Sequence, residues 1–135
     1  VPLRLEIGPK DIENNQCVIV RRDNREKYFV SLDELETKIP ELLKAVHDGL
    51  YEKALKRREE MTYSVENLDE MIENAENRPG FIKAMWCGSE ECEDEVKAQT
   101  GIGSRCIPFG DESVSDVCVC CGKPAKHMIY WGVAY

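Results

Sequence analysis

The chain has 135 residues, of which 42% are apolar and 33% charged. That is enough for one domain or two small ones, and too apolar for a disordered chain; no stretch approaches the roughly 20 apolar residues of a membrane span, and no basic leader precedes an apolar run. The net charge of −8 is uneven, with six basic and five acidic side chains in residues 1–30, seven and thirteen in 31–80, and five and eight in 81–135, which speaks against broad nucleic-acid binding and leaves only the first thirty residues to supply a basic face.

Residues 2–7 alternate, with Leu3, Leu5 and Ile7 on one side and Arg4 and Glu6 on the other, the period of a half-buried strand. Gly8-Pro9 is expected to close it as a turn. Residues 16–22 and 27–30 read as two more strands joined by the polar turn Asp23-Asn24-Arg25. Ser31 with Glu34 forms a capping box that starts a helix. Leu35, Ile39, Leu42, Leu43, Val46 and Leu50 carry its apolar stripe to about Glu60, with a kink or restart expected at Pro40. The charged opposite face is that of a solvated helix. Ser64 is expected to cap a second helix bearing Val65, Leu68, Met71 and Ile72, ended by Arg78-Pro79-Gly80. Phe81 to Trp86 reads as a strand, Ser89 to about Gln99 as a short acidic helix, and Gly101-Ile-Gly103 as a turn. Arg105 to Phe109 reads as a strand, Gly110 to Asp116 as a polar loop, and Lys126 to Val133 as a last strand. The expected class is α/β (α+β) in two units, residues 1–62 and 63–135, divided where the long helix ends. The first residue is Val, so the chain is expected to have been cut or to begin inside something larger.

The seven cysteines carry the chemistry. An odd, clustered count without a leader fits a reducing compartment and a metal site better than a disulfide frame. Cys87 and Cys92 are spaced C-x4-C, and Cys118, Cys120 and Cys121 include a C-x2-C that ends in Cys-Gly. Zn²⁺ takes four tetrahedral thiolates, commonly as two such pairs from separate loops. The 25 residues between the pairs leave room for a helix, a strand and a loop that return the second pair beside the first. Cys118 with Cys121 is preferred because Gly122 can absorb a positive φ; Cys118 with Cys120 stays open as a C-x-C alternative. Lys123 and Lys126 are candidates to relieve the negative charge of a zinc tetrathiolate. Cys17 and Cys106 read as core. A thiol oxidoreductase fits poorly, because the C-x2-C precedes a loop and a strand and does not join a strand to a helix. His47 and His127 read as structural, the Gly101–Gly103 turn lacks the setting of a phosphate loop, and no catalytic triad or acid–base pair is found.

Two ordered sets of residues resemble a known family. Val1-Pro-Leu-Arg-Leu-Glu-Ile-Gly-Pro-Lys-Asp11 followed by Val20-Arg-Arg-Asp23 is similar to the anticodon-binding domain of class II prolyl-tRNA synthetases. Cys87-x4-Cys92, Ser104-Arg-Cys-Ile-Pro-Phe109, Cys121-Gly-Lys-Pro-Ala-Lys126 and Gly132-Val-Ala-Tyr135 are similar to the C-terminal zinc-binding domain of the archaeal/eukaryotic-type enzymes.

The resemblance implies a partial class II anticodon-binding mixed sheet with helices, then a small two-layer α/β sandwich that binds zinc. It implies a cytoplasmic proline–tRNA ligase whose catalytic core, with its ATP and proline sites and its homodimer contacts, lies upstream, so that this chain alone is inactive. tRNA(Pro) and that upstream domain are the implied partners, with no membrane. Arg4, Glu6 and Lys27 fall on the anticodon-reading positions; guanine offers O6 and N7 to Arg or Lys. Lys10 stands where the family usually has Arg, which removes a bidentate donor there. The zinc ligands implied are Cys87, Cys92 and Cys121, with Cys118 as the fourth or, in a C-x-C variant of the family, the Cys118/Cys120 pair. The Tyr135 carboxylate is implied to reach the catalytic cleft of the intact enzyme. The rival reading is a free-standing zinc-stabilised interaction module.

Overall fold

The computed structural model describes residues 1–134, in two compact units, Val1–Lys56 and Arg57–Tyr135. Tyr135, the implied terminal carboxylate, lies outside the described residues. No helix among the described residues is long and apolar enough to cross a membrane.

The first unit contains strand β1 (Leu3–Glu6), helix α1 (Pro9–Glu13), strands β2 (Gln16–Arg21) and β3 (Lys27–Ser31), and most of helix α2 (Leu35–Glu60). The three strands pair antiparallel in the order β1-β2-β3. Alternation sends Cys17, Ile19 and Val30 to one face, where Leu42 of α2 closes a small core with Leu35 and Ile39 at its margin. Gly8 and Pro9 do not make a simple turn. Gly8 is the cap of α1, and its N–H donates to the Asp11 carboxylate at 2.8 Å, while Pro9 supplies the fixed φ favoured at the first helical position.

Ser31 caps the turn that leads into α2, its Oγ accepting from the Asp33 N–H at 3.3 Å. That turn is 3-10, over Leu32–Glu34. The α-helix then runs unbroken through Pro40, which lies past the first turn and costs the helix the bond its missing N–H would donate to Glu36. Of the expected stripe, Leu42 and Val46 are buried, whereas Leu43 and Leu50 are exposed.

The second unit contains strand β4 (Thr62–Ser64), helix α3 (Leu68–Asn77), strand β5 (Phe81–Trp86), helix α4 (Glu90–Thr100) and strands β6 (Gly103–Cys106) and β7 (His127–Gly132). Its sheet is mixed, in the order β4-β5-β7-β6, with β4 parallel to β5 and the other pairs antiparallel. Ser64 is not a helix cap: it ends β4, opposite Lys83. The cap of α3 is Asn67, whose Oδ1 accepts from the Glu70 N–H at 3.0 Å. The β5 and β7 residues Ile82, Ala84, Ile129 and Trp131 share one face and pack with Met71 of α3 and Val96 of α4. Gly80 needs its missing side chain: at φ +147° a Cβ would sit 2.1 Å from the Met61 carbonyl, the same carbonyl that accepts from the Phe81 N–H at 2.8 Å.

The strand expected at Arg105–Phe109 lies earlier, at Gly103–Cys106, and its pairing with β7 is irregular between Ser104 and Cys106. That irregularity breaks the alternation from which Cys106 was expected in the core; Cys106 is exposed, as are Ile107 and Phe109. Cys17 is fully buried, as expected.

Candidate metal centre and basic sheet surface

Four thiols converge at one end of the second sheet. Cys87 follows the last residue of β5, Cys92 lies in the first turn of α4, and Cys118 and Cys121 flank a turn in the loop between β6 and β7. The first pair is held by the sequence around it. The Trp86 indole donates to the Ser89 carbonyl at 3.0 Å, pinning the short loop, and Gly88 turns it at φ +92°. The second pair is held by backbone bonds. The Gly122 N–H donates to the Cys118 carbonyl at 3.0 Å, the Val119 N–H to the Met85 carbonyl at 2.9 Å and the Lys126 N–H to the Trp86 carbonyl at 2.8 Å. Gly122 takes a φ of +68°, the conformation expected of the Cys-Gly turn.

The Sγ atoms of Cys87, Cys92, Cys118 and Cys121 all lie within 4.8 Å of one another, with Cys87 to Cys92 at 3.7 Å and Cys121 to Cys87 at 3.9 Å. A group of this kind can hold a metal ion. Cys120, the C-x-C alternative, packs against the apolar core. His127 starts β7 with its ring 6.3 Å from that of Trp86, and His47 is exposed on α2; neither belongs to the sulfur group. Lys126 runs beside the site: a Cβ on Gly88 would lie 3.6 Å from its Cδ and 3.9 Å from its Nζ.

The thiols do not ionise alike. Burial, then the neighbouring Cys121 and Cys87 thiols, push Cys92 well above the usual thiol range. Burial also acts to raise Cys118, but hydrogen bonds from the Cys121, Cys120 and Cys87 backbone amides outweigh it and bring Cys118 down to about 7. One sulfur therefore ionises more readily than an ordinary thiol while a second resists sharing the space with another negative charge. A bound cation removes that resistance, because it stabilises all four thiolates together.

The first unit carries a different surface. Across the face of its sheet turned away from the Cys17 and Ile19 core, Arg4 pairs in register with Val20, and Val20 with Lys27. With strands about 4.8 Å apart, the Cα atoms of Arg4 and Lys27 stand ~10 Å apart on one row. Arg4, Lys27, Arg22 and Arg25 line a depression of about 420 Å³ with Val20 and Arg21. Glu6, in the next row, accepts from Arg4 at 2.5 Å. Arg21 is occupied with Asp23, through two bonds at 2.5 and 3.0 Å, and with the Ala45 carbonyl at 3.1 Å. The Arg21 guanidinium holds the Asp23 carboxyl below its ordinary range. Arg22, Arg25 and Lys27 form no ion pair among the described residues. Lys10, on α1, does not line the depression. Sequence reasoning missed Arg22 and Arg25, although both belong to the basic stretch of residues 21–27 that gives the first thirty residues their excess of cations.

Comparison with known proteins finds two family models, one at each end of the chain. The family model described as prolyl-tRNA synthetase, C-terminal, matches residues 68–135, and the model described as anticodon binding domain matches residues 1–42. The chain is 62% identical over all 135 residues to a proline–tRNA ligase of Clostridium novyi and 56% identical to proline–tRNA ligase 2 of Bacillus cereus. In each case it covers 28% of that protein, so it spans a little over a quarter of the length of the curated relatives it matches. Among solved structures, it is similar to the prolyl-tRNA synthetase of Cryptosporidium parvum complexed with L-proline and AMP, with a TM-score of 0.90 and 36% identity over 100% of this chain and 29% of that one.

Proposed function

The chain belongs to the prolyl-tRNA synthetase C-terminal family, and from that premise we propose that it is the tRNA-reading and metal-stabilised end of a cytoplasmic proline–tRNA ligase, which joins proline to tRNA(Pro) using ATP. The observation that carries the reading is the pairing, in one chain and in the family's order, of a basic sheet row with a four-thiol group. In this reading the chain supplies no reacting group. ATP and proline bind in an upstream catalytic domain, through which the enzyme forms a homodimer.

On the sheet, Arg4, Glu6 and Lys27 read base edges of the unstacked anticodon. Arg4 offers a planar pair of donors that suits guanine O6 and N7, and Lys27 a single mobile charge. Glu6 fixes the Arg4 side chain from one side and keeps acceptor capacity for a base amino group. Arg22 and Arg25, at the mouth of the same depression, suit phosphate oxygens, which position the strand without reading it.

In the second unit, Cys87, Cys92, Cys118 and Cys121 would hold one zinc ion. A regular tetrahedron of Zn–S bonds near 2.3 Å sets its sulfurs about 3.8 Å apart, which the 3.7 and 3.9 Å separations at Cys87 match. The donor set is all sulfur and leaves no open position for a substrate, so the ion's part is structural, tying the β5–α4 junction to the loop before β7. Lys126, over Gly88, offsets part of the −2 charge of the loaded site.

The reading is tested on tRNA(Pro) binding by the enzyme that carries this chain. Arg4→Ala should weaken binding by about 1–3 kcal/mol with the circular dichroism spectrum unchanged, since Arg4 is largely exposed. Elemental analysis should find one zinc per chain. Wild-type affinity in Arg4→Ala would remove the sheet row from anticodon reading.

A further inference from the structure

The row beside the cations holds an aromatic that is not part of the first unit's core. In register, Glu6 pairs with Val18 and Val18 with Phe29, so Phe29 lies on the same sheet face as Arg4 and Lys27. It is two residues from Lys27 along β3, or about 7 Å. Phe29 is 72% exposed and takes no part in the Cys17–Ile19–Val30 core, which lies on the opposite face. Val18 and Val20 between the rows are half-buried and apolar. A large ring held in water on a strand, one row from Lys27, which has no ion-pair partner among the described residues, and from Arg4, which has Glu6, matches what a single-stranded nucleic acid needs: charge for its backbone and a π face for a base.

We propose that Phe29 is a stacking platform for an unstacked base of the bound tRNA, adjacent to the bases read by Arg4 and Lys27. The proposal rests on the reading of the basic row given above. The occupant follows from charge: a ring exposed on the sheet face that carries Arg4 and Lys27, which with Arg22 and Arg25 line the adjoining depression, suits a polyanion whose bases are splayed out, and an apolar protein segment laid there would bury Arg22, Arg25 and Lys27 without partners. Stacking is a contact of surfaces and not of charges. Phe29 therefore adds affinity that is insensitive to salt, whereas the neighbouring cations add affinity that falls as salt rises.

The test measures tRNA(Pro) transcript binding by the full-length ligase carrying this chain, by anisotropy over a range of KCl. Phe29→Ala should weaken binding between about five- and 150-fold and leave the slope of log Kd against log salt unchanged. Phe29→Trp should restore binding, Phe29→Leu should not, and all three should keep the wild-type thermal transition. Three results would overturn the proposal: wild-type affinity in Phe29→Ala, wild-type affinity in Phe29→Leu, which would mean apolar cover without stacking, or a lost thermal transition in Phe29→Ala, which would make the ring a packing residue. Arg4→Ala, run alongside, separates the two levels. If Arg4→Ala weakens binding and Phe29→Ala does not, only the platform fails; if neither does, the reading of the basic row fails with it.

Discussion

The two units answer the same problem of size in opposite ways. In the first, three strands cover one face with a single long helix, and the core is no more than Cys17, Ile19, Val30 and Leu42 with a rim of partly buried neighbours. Its other sheet face stays open and carries Arg4, Lys27 and Phe29. In the second, α3 and α4 pack on one face of the sheet around Trp131, Met71 and Val96, while Met85 and Met128 are buried on the other face. The loop between β6 and β7 has little regular structure of its own and brings Cys118 and Cys121 to the Cys87 and Cys92 thiols. An open sheet face keeps side chains free to meet a partner. A long irregular loop needs a cross-link, because small domains bury too little apolar surface to order such segments by packing alone.

The sharpest way to break this comparison is to remove the proposed metal cross-link. Cys87→Ser, or dialysis against a chelator, should unfold the second unit and leave the first folded, because structural zinc contributes on the order of 10 kcal/mol in small metal-dependent domains. Trp86 and Trp131, the two tryptophans of the chain, both lie in the second unit. Their fluorescence should show the loss while tyrosine signals from Tyr28 persist. Unchanged tryptophan emission after complete metal removal would show that packing alone holds the loop.

A smaller effect should come from the core of the same unit. Trp131 is its largest fully buried side chain, and Trp131→Ala should cost about 3–5 kcal/mol, read as a lower urea midpoint for the second unit in the metal-loaded protein. A cost below about 1 kcal/mol would mean that the sulfur group and not the apolar core dominates this unit.

The smallest effect belongs to the first unit and to its half-buried ion pair. Arg21 and Asp23 pair at 2.5 Å with side chains only 12% and 10% exposed. The Asp23 carboxyl is held below its ordinary value of 3.8 by the Arg21 hydrogen bond. Because the folded pKa lies below the unfolded one, the stabilisation is complete above the unfolded value and is lost as pH falls through the folded one. Asp23→Asn should therefore flatten the acid limb of the first unit's stability below about pH 4, measured by urea titration followed by far-UV circular dichroism. An acid limb as steep as wild type in Asp23→Asn would assign it to other carboxylates.

Much of this was legible in the chain. Alternation gave β1, and strand-forming runs on either side of a polar turn gave β2 and β3, to within a residue or two; Phe81–Trp86 is β5 end to end, and the Cys-Gly spacing pointed to the turn at Gly122. These features are local: a period of two, a capping residue and a glycine at positive φ act over a few residues. The misses share a cause. Ser64 looked like a helix cap because its role depends on parallel pairing with β5, whose residues come about twenty positions later. Cys106 looked buried because alternation was carried through a pairing irregularity that only β7 imposes. Arg22 and Arg25 were visible as charges, but nothing in their spacing shows that they border the same depression as Arg4.

Sequence alone determined which residues carry charge, which carry sulfur and where the chain can turn, since those properties belong to single side chains and short backbone stretches. Tertiary structure alone decided which sulfurs share one small space and which side chains of the first sheet remain in water. Both outcomes depend on strands and loops from distant parts of the chain meeting in one register, and a slip of one residue would send every side chain of a strand to the opposite face.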